Sequence, residues 1–445
     1  MWREGVSIVV KQSLSLLIVS DGYNPSMRLL IVTHGSRGDV QPYVALGCAL
    51  KAAGHEVTIA TNSTFATLVG DNRLNFAECG GDVRELVNTP EAKRWMGSGK
   101  NPIAFVRGFR ALIEPNLHQW TKLVLQAAQA NKAEAIIGSA TGLFSAYSVA
   151  EALELPYIHA WLQPAHPTHM YPSPLIPFTL SLGPLYNYLS YPLFNEVFWQ
   201  AFKPTFNQLR KDIFNLPPIA RIIHPRNQQP VIYGFSPAVL PTCANWPAWV
   251  KVSGYWFLDS DGWQPPAELE EFLADGPPPI CIGFGSLSES DPGRITDAAL
   301  EALRKTKRRA VLLSGWGGLT TSATDKDIIV IDEAPHAWLF PRCHAVVHHC
   351  GAGTSAAVMR AGVPGIPVPF FADQPFWAHR AYQMGVSTRA IKRIRFDART
   401  FADAIQSSDD PRLRQCANSL GIRIQSEHGV NSAAAMITEH LNSLA

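Results

Sequence analysis

Ala345-Val346-Val347-His348-His349-Cys350-Gly351-Ala352-Gly353-Thr354-Ser355-Ala356-Ala357 reads as a buried strand that runs through a glycine turn into a helix. The apolar run Ala345–Val347 fits a strand covered on both faces, as in a parallel sheet. Free amides at the start of the following helix form a site for an anion. Glycine lets the backbone approach phosphate oxygens closely, and Thr354 adds a hydroxyl. Working outward, further strands are predicted at Ile280–Phe284, Ala310–Leu313, Ile328–Ile331 and Gly365–Val368, alternating with helical stretches. That alternation is the mark of a doubly wound α/β unit. Gly351-x-Gly353-x-x-Ala356 also fits a dinucleotide fingerprint. Dehydrogenases place that turn after their first strand, so an NAD-type oxidoreductase stays a remote alternative.

The same alternation opens the chain. Leu29–Thr33 is an apolar run, and the turn Gly35-Ser36-Arg37-Gly38-Asp39 follows it. Pro42 suits the first position of a helix that Gly54 stops, and Val57–Ala60 is the next strand. Ala135–Ser139 and Tyr157–His159 read as later strands of the same sheet. The expected division is an N-terminal extension at 1–26, a first domain at 27–258, a linker at 259–279 marked by Asp275-Gly276-Pro277-Pro278-Pro279, and a second domain at 280–445 whose last helix could cross back. Two such units imply a cleft faced by the carboxyl ends of their strands. Between 160 and 270 the prolines 164, 167, 172, 174 and 177 alternate with large rings. Short helices and loops are expected there, forming either an apolar binding wall or a satellite core.

Composition narrows the classes. In 445 residues, 38 Lys and Arg face 36 Asp and Glu, a net charge of +2, so no global field draws a polyanion and nucleic acid is not expected. Seven cysteines, most in apolar runs, do not suggest a disulfide framework; a reducing cytoplasm is expected. No stretch of ~18 uncharged apolar residues offers a membrane span. His344, His348, His349, Cys343 and Cys350 invite a metal reading, but strand alternation sends His348 and His349 to opposite faces and no second ligand pair follows. No metal is expected.

Two more turns carry chemistry. In Phe370-Phe371-Ala372-Asp373-Gln374-Pro375 an acid beside an amide suits sugar hydroxyls, although Asp373 is also an ordinary helix cap. Asp39 is a cap or, at the mouth of a cleft, a general base; His34, His159, His166 and His169 are other candidate bases.

Taken together, these residues resemble inverting glycosyltransferases of the GT-B fold, in which two Rossmann-like domains face each other across a cleft. Gly35-Ser36-Arg37-Gly38-Asp39-Val40-Gln41-Pro42 is similar to the first-strand turn of the sterol and antibiotic branches. Pro335-His336-Ala337-Trp338-Leu339-Phe340, His349–Thr354 and Asp373-Gln374 are similar to the nucleotide-sugar signature. Trp246-Pro247-Ala248-Trp249-Val250-Lys251-Val252-Ser253-Gly254-Tyr255-Trp256-Phe257 resembles sterol 3β-glucosyltransferases. Flavonoid enzymes begin the signature with a Trp that stacks on uracil, where Glu333 stands here, and use a His where this chain has Asp39.

The resemblance implies that Asp39 takes the proton of the acceptor hydroxyl. It places Ser36 and Arg37 beside the donor, and Ala334 and His336 near the uracil. Ser286, His349, Ala352, Gly353 and Thr354 would hold the diphosphate, and Asp373 and Gln374 the sugar. Phe198 and Trp199 are expected in the acceptor wall. The implied reaction moves glucose from UDP-glucose to a sterol or similar apolar alcohol, without cofactor or metal. A polyketide, carotenoid or glycolipid acceptor is the alternative. The implied partners are the nucleotide sugar and the hydrophobic acceptor, in the cytoplasm, with peripheral membrane contact left open.

Overall fold

The computed structural model describes residues 26–82, 102–176, 182–221, 229–259, 262–284, 292–315, 326–392 and 396–444, with a few positions between 85 and 95. Two parallel sheets organise the chain. The first contains β1 (Arg28–Val32), β2 (Glu56–Thr61), β3 (Asn75–Glu78), β4 (Ala135–Gly138), β5 (Tyr157–Trp161), β6 (Val231–Tyr233) and β7 (Val250–Val252). Its order is β3-β2-β1-β4-β5-β6-β7. The second contains β8 (Ile280–Gly283), β9 (Ala310–Leu313), β10 (Ile328–Ile331), β11 (Ala345–His348) and β12 (Gly365–Pro367), in the order β10-β9-β8-β11-β12. In each sheet the strand order reverses beside the first strand, and a crevice opens there at the strands' carboxyl ends.

The apolar runs of the sequence explain the central strands. Leu29–Val32 and Ala345–Val347 are almost fully buried, as two-sided cover by helices requires. Helices of the first unit are α1 (Arg37–Ala52), α2 (Ala66–Asp71), α3 (Pro102–Ala130), α4 (Leu143–Ala152) and α5 (Pro184–Phe214). After α6 (Ala267–Ala274) come α7 (Pro292–Thr306), α8 (His336–Leu339), α9 (Ala352–Ala361), α10 (Gln374–Gln383), α11 (Ala398–Ser407), α12 (Pro411–Gln425) and α13 (Gly429–Asn442). α13 leaves its own unit. Ala433, Ala434, Ile437 and Leu441 join the core built from Leu29, Ile31, Val40 and Val44. The His55 ring and the Thr438 hydroxyl are 2.9 Å apart on that contact. Gly429 permits the crossing, since a Cβ there would lie 2.4 Å from the Tyr255 carbonyl oxygen. Among the described residues, no helix is long and apolar enough to cross a membrane.

Two expectations need correction. α1 starts at Arg37, so Pro42 lies inside it. The start is fixed by Ser36 and Asp39, which bond across the first turn. The 160–270 stretch is not wholly broken into short pieces: α5 runs 31 residues through Pro192 and Pro204. A mid-helix proline costs ~3 kcal/mol. Here an i, i+4 ladder of Phe194, Phe198, Phe202 and Phe206 offsets that cost. Its rings pack on one another and on Phe109 of α3 and Phe144 of α4.

Candidate active site

The turn after β1 and the turn after β11 meet across the cleft. A Cβ added to Gly353, on the first turn of α9, would lie 3.8 Å from the Cα of Gly38, on the first turn of α1. Two helix N-termini, each carrying partial positive charge, therefore point into one place. Ser355 is the first amide of α9 seen to bond back, to the Gly351 carbonyl at 2.9 Å. The amides of Ala352, Gly353 and Thr354 precede it and have no intrahelical acceptor. The Ser355 hydroxyl and His349 Nδ1 are buried at this helix end without a partner. The arrangement is a site for an anion.

Cys350 takes a left-handed conformation, with φ 67°, to swing the chain from β11 into α9. Gly351 has no side chain because a Cβ would lie 2.6 Å from His349 Nε2. His348, on the opposite face, accepts the Cys350 amide at Nδ1 and is buried. His344 turns away to Asp409, at 2.7 Å. The histidines of this stretch thus diverge. Burial pushes the His349 pKa down to about 4, so the ring is neutral at pH 7 and acts as an N–H donor. His336 stacks on Phe340 with centroids 4.3 Å apart. Its pKa falls to about 4 through burial, the nearby Arg37 cation and His349. Ala334 is buried just before α8. Arg37 reaches across the cleft and donates to Glu333 at 2.8 Å. Ser286 lies outside the described residues.

Asp39 is the third residue of α1. Its Oδ2 accepts the Ser36 amide and the Ser36 hydroxyl, each at 2.8 Å. The Ser36 hydroxyl is thereby committed to Asp39, and the sequence reading that set it beside the donor missed this bond. Thr33 holds the Asp39 carbonyl at 2.7 Å. Burial raises the Asp39 pKa, against the lowering effect of the two Ser36 bonds. Gly35, with φ 122°, makes room: a Cβ there would stand 2.6 Å from Asp39 Oδ2.

The other candidate bases are engaged elsewhere. His34 lies within 3.1 Å of the Cys79 carbonyl and 3.0 Å of the Ser145 hydroxyl, and its ring stacks on Trp120. His159 contacts Gln229, His166 the Tyr233 hydroxyl and His169 the Pro184 carbonyl.

Asp373 precedes α10 and is buried. Its Oδ2 accepts Gln163 Nε2 at 2.6 Å and Trp377 Nε1 at 2.7 Å. Burial, with a contribution from the Asp39 charge, pushes its pKa up to about 7; the Trp377 bond works against that rise. Gln374 spends its Oε1 on the amides of Phe370 and Phe371, which leaves its Nε2 for a ligand. Gln163 was missed from sequence, where a lone Gln among prolines carries no signal. Trp377 had one: it stands four residues after Asp373, one helical turn away.

Phe198 is part-buried within the aromatic ladder. Trp199 is different. It is buried, packs edge-on against Phe206, and its indole N–H donates to the Ala220 carbonyl. Its place is the core of the first unit, and the expectation that it lines an acceptor wall is corrected on that ground.

Residues 29–172 match the Glycosyltransferase family 28 N-terminal domain, and residues 317–433 match the Erythromycin biosynthesis protein CIII-like, C-terminal domain. A sterol 3-beta-glucosyltransferase of Arabidopsis thaliana is 36% identical over 428 residues, covering 95% of this chain and 67% of the relative. One from Candida albicans is 35% identical, but the match covers only 28% of that longer protein. Among solved structures, the glycosyltransferase SnogD from Streptomyces nogalater is similar at TM-score 0.63 and 20% identity, covering 93% of this chain and 99% of that one. The Streptomyces glycosyltransferase SsfS6, complexed with thymidine diphosphate, aligns at TM-score 0.60 and 18% identity over 93% of this chain and 99% of its own. The fold is GT-B, and the chain belongs to the sterol 3-beta-glucosyltransferase family of glycosyltransferases.

Proposed function

We propose that this chain transfers glucose from UDP-glucose to the 3β-hydroxyl of a sterol with inversion at the anomeric carbon. The observation that carries the reading is the meeting of two helix N-termini at Gly38 and Gly353, with the Asp39 carboxylate on one of them. The leaving group is a nucleoside diphosphate, so negative charge grows on its oxygens as the bond breaks. Helix amides, the neutral His349 and the Arg37 cation are donors suited to that charge. Asp39 has one oxygen tied to Ser36 and the other available to take the acceptor's proton. Attack from the Asp39 side, opposite the departing diphosphate, displaces it in line.

For the acceptor, the part-buried Phe109 and Phe198 rings, backed by the buried Phe144 and Phe202, offer an apolar surface, and a sterol is flat with one hydroxyl. The sterol acceptor also draws support from the named relatives. Calorimetry with UDP-glucose, with and without EDTA, tests the donor: binding should be unchanged by EDTA, and a strict need for a divalent cation would contradict the mechanism. Turnover on a panel of cholesterol, ergosterol, a macrolide, a flavonoid and diacylglycerol tests the acceptor. Glucose passing to the macrolide or flavonoid and never to a sterol would contradict the acceptor assignment.

A further inference from the structure

We propose that Gln163 is a positioning residue for the donor sugar, holding the Asp373 carboxylate from across the cleft so that its free oxygen faces the glucose. The inference rests on the reading of Asp373 as a sugar-binding residue and deepens it.

Gln163 follows β5 in the first unit, two residues past Trp161, whereas Asp373 opens α10 in the second. Their bond, Gln163 Nε2 to Asp373 Oδ2 at 2.6 Å, joins the two units at the sugar end of the cleft. The Trp377 indole meets the same oxygen at 2.7 Å from within α10. Two donors on one oxygen fix the plane of the carboxylate and leave Oδ1 as its acceptor for a hydroxyl.

The pair also affects charge. Asp373 is buried, and burial with the nearby Asp39 favours its neutral form. A neutral carboxyl would offer the sugar a weaker acceptor. Donated bonds favour the ionised form, so Gln163 and Trp377 work against the burial that favours the neutral one.

The test is calorimetry of UDP and of UDP-glucose from pH 5.5 to 8.5, on the full chain and on Gln163→Leu, Gln163→Glu, Trp377→Phe and Asp373→Asn. The ratio of the two affinities isolates the sugar. In the wild-type protein the ratio should rise with pH through about 7, where Asp373 ionises. Gln163→Leu should cut the ratio roughly tenfold, leave UDP affinity unchanged and move the pH midpoint upward. Trp377→Phe should move the midpoint the same way. Gln163→Glu keeps the size of the side chain but cannot donate once ionised, so it should move the midpoint further. A Gln163→Leu or Gln163→Glu protein with the wild-type ratio and midpoint would overturn the assignment of Gln163. If Asp373→Asn itself leaves the ratio unchanged, the sugar-site reading fails first, which is a different result.

Discussion

Asp39 combines two roles that the sequence leaves open between cap and base. Capping holds one oxygen, through the Ser36 amide and hydroxyl, and so orients the other. Asp39→Asn keeps the size of the side chain but cannot take a proton. Turnover should fall by ~10²–10⁴. UDP-glucose affinity by calorimetry should be largely retained; loss of binding with normal turnover per bound donor would contradict the assignment. Gly35→Ala should be nearly as damaging, because its methyl group would press on the carboxylate in a backbone conformation, φ 122°, that alanine resists. A displacement of that size costs roughly 10² in rate. A Gly35→Ala enzyme with normal kcat would show that the carboxylate need not sit where it does. His34 cannot replace Asp39, since both ring nitrogens are engaged and burial drops its pKa to about 4. Substitution of His34 should therefore appear as lost stability.

At the scale of elements, the central strands were legible because burial on both faces writes an unbroken apolar run. β3, β6 and β7 were missed: they are three or four residues long and lie at or near the sheet's edges. α5 was missed because two prolines outweigh, in any local reading, the four-residue spacing of Phe194, Phe198, Phe202 and Phe206. Tertiary packing decided it, and packing partners on α3 and α4 are not visible locally. The same packing separates two neighbours on this helix. Trp199→Ala should lower the melting temperature, as loss of a core ring costs ~3–5 kcal/mol. Phe198 lies in the ring cluster proposed to meet the acceptor, so Phe198→Leu should raise the sterol KM with little thermal effect. Differential scanning fluorimetry beside steady-state kinetics distinguishes them. A raised KM at unchanged melting temperature for a Trp199 variant would return that residue to the acceptor surface.

Over the whole molecule, the site exists only where two sheets and a returning α13 hold the cleft together. Arg37–Glu333, Gln163–Asp373 and the Arg380 bond to the Val239 carbonyl span the two units, and Arg360–Asp259 ties the second unit to the linker. The motifs that bind donor were readable as strand-to-helix turns; the bonds across the cleft were not, because sequence distance hides them. Burying Asp373 also has a cost to folding. Its folded pKa of about 7 exceeds its unfolded value, so the penalty is absent below pH ~4, grows from ~4 to ~7, and is constant above. Asp373→Asn, free of that penalty, should melt several degrees higher than wild type at pH 8, at ~2–4 °C per kcal/mol, with the gap closing toward pH 4. Equal melting temperatures at pH 8 would mean that Asp373 bears no such burden. The rate itself should rise with pH through about 7, since Asp373 must be ionised to act. The central claim is that Asp39 on α1 and the diphosphate end of α9 flank one anomeric carbon. Its most direct measurement is the NMR configuration of the glucoside made from UDP-glucose and cholesterol. UDP-glucose is an α-glycoside, so the account predicts the β-glucoside, with none formed at a comparable rate by Asp39→Asn. An α-glucoside, or a β-glucoside made equally fast without the Asp39 carboxylate, would contradict it.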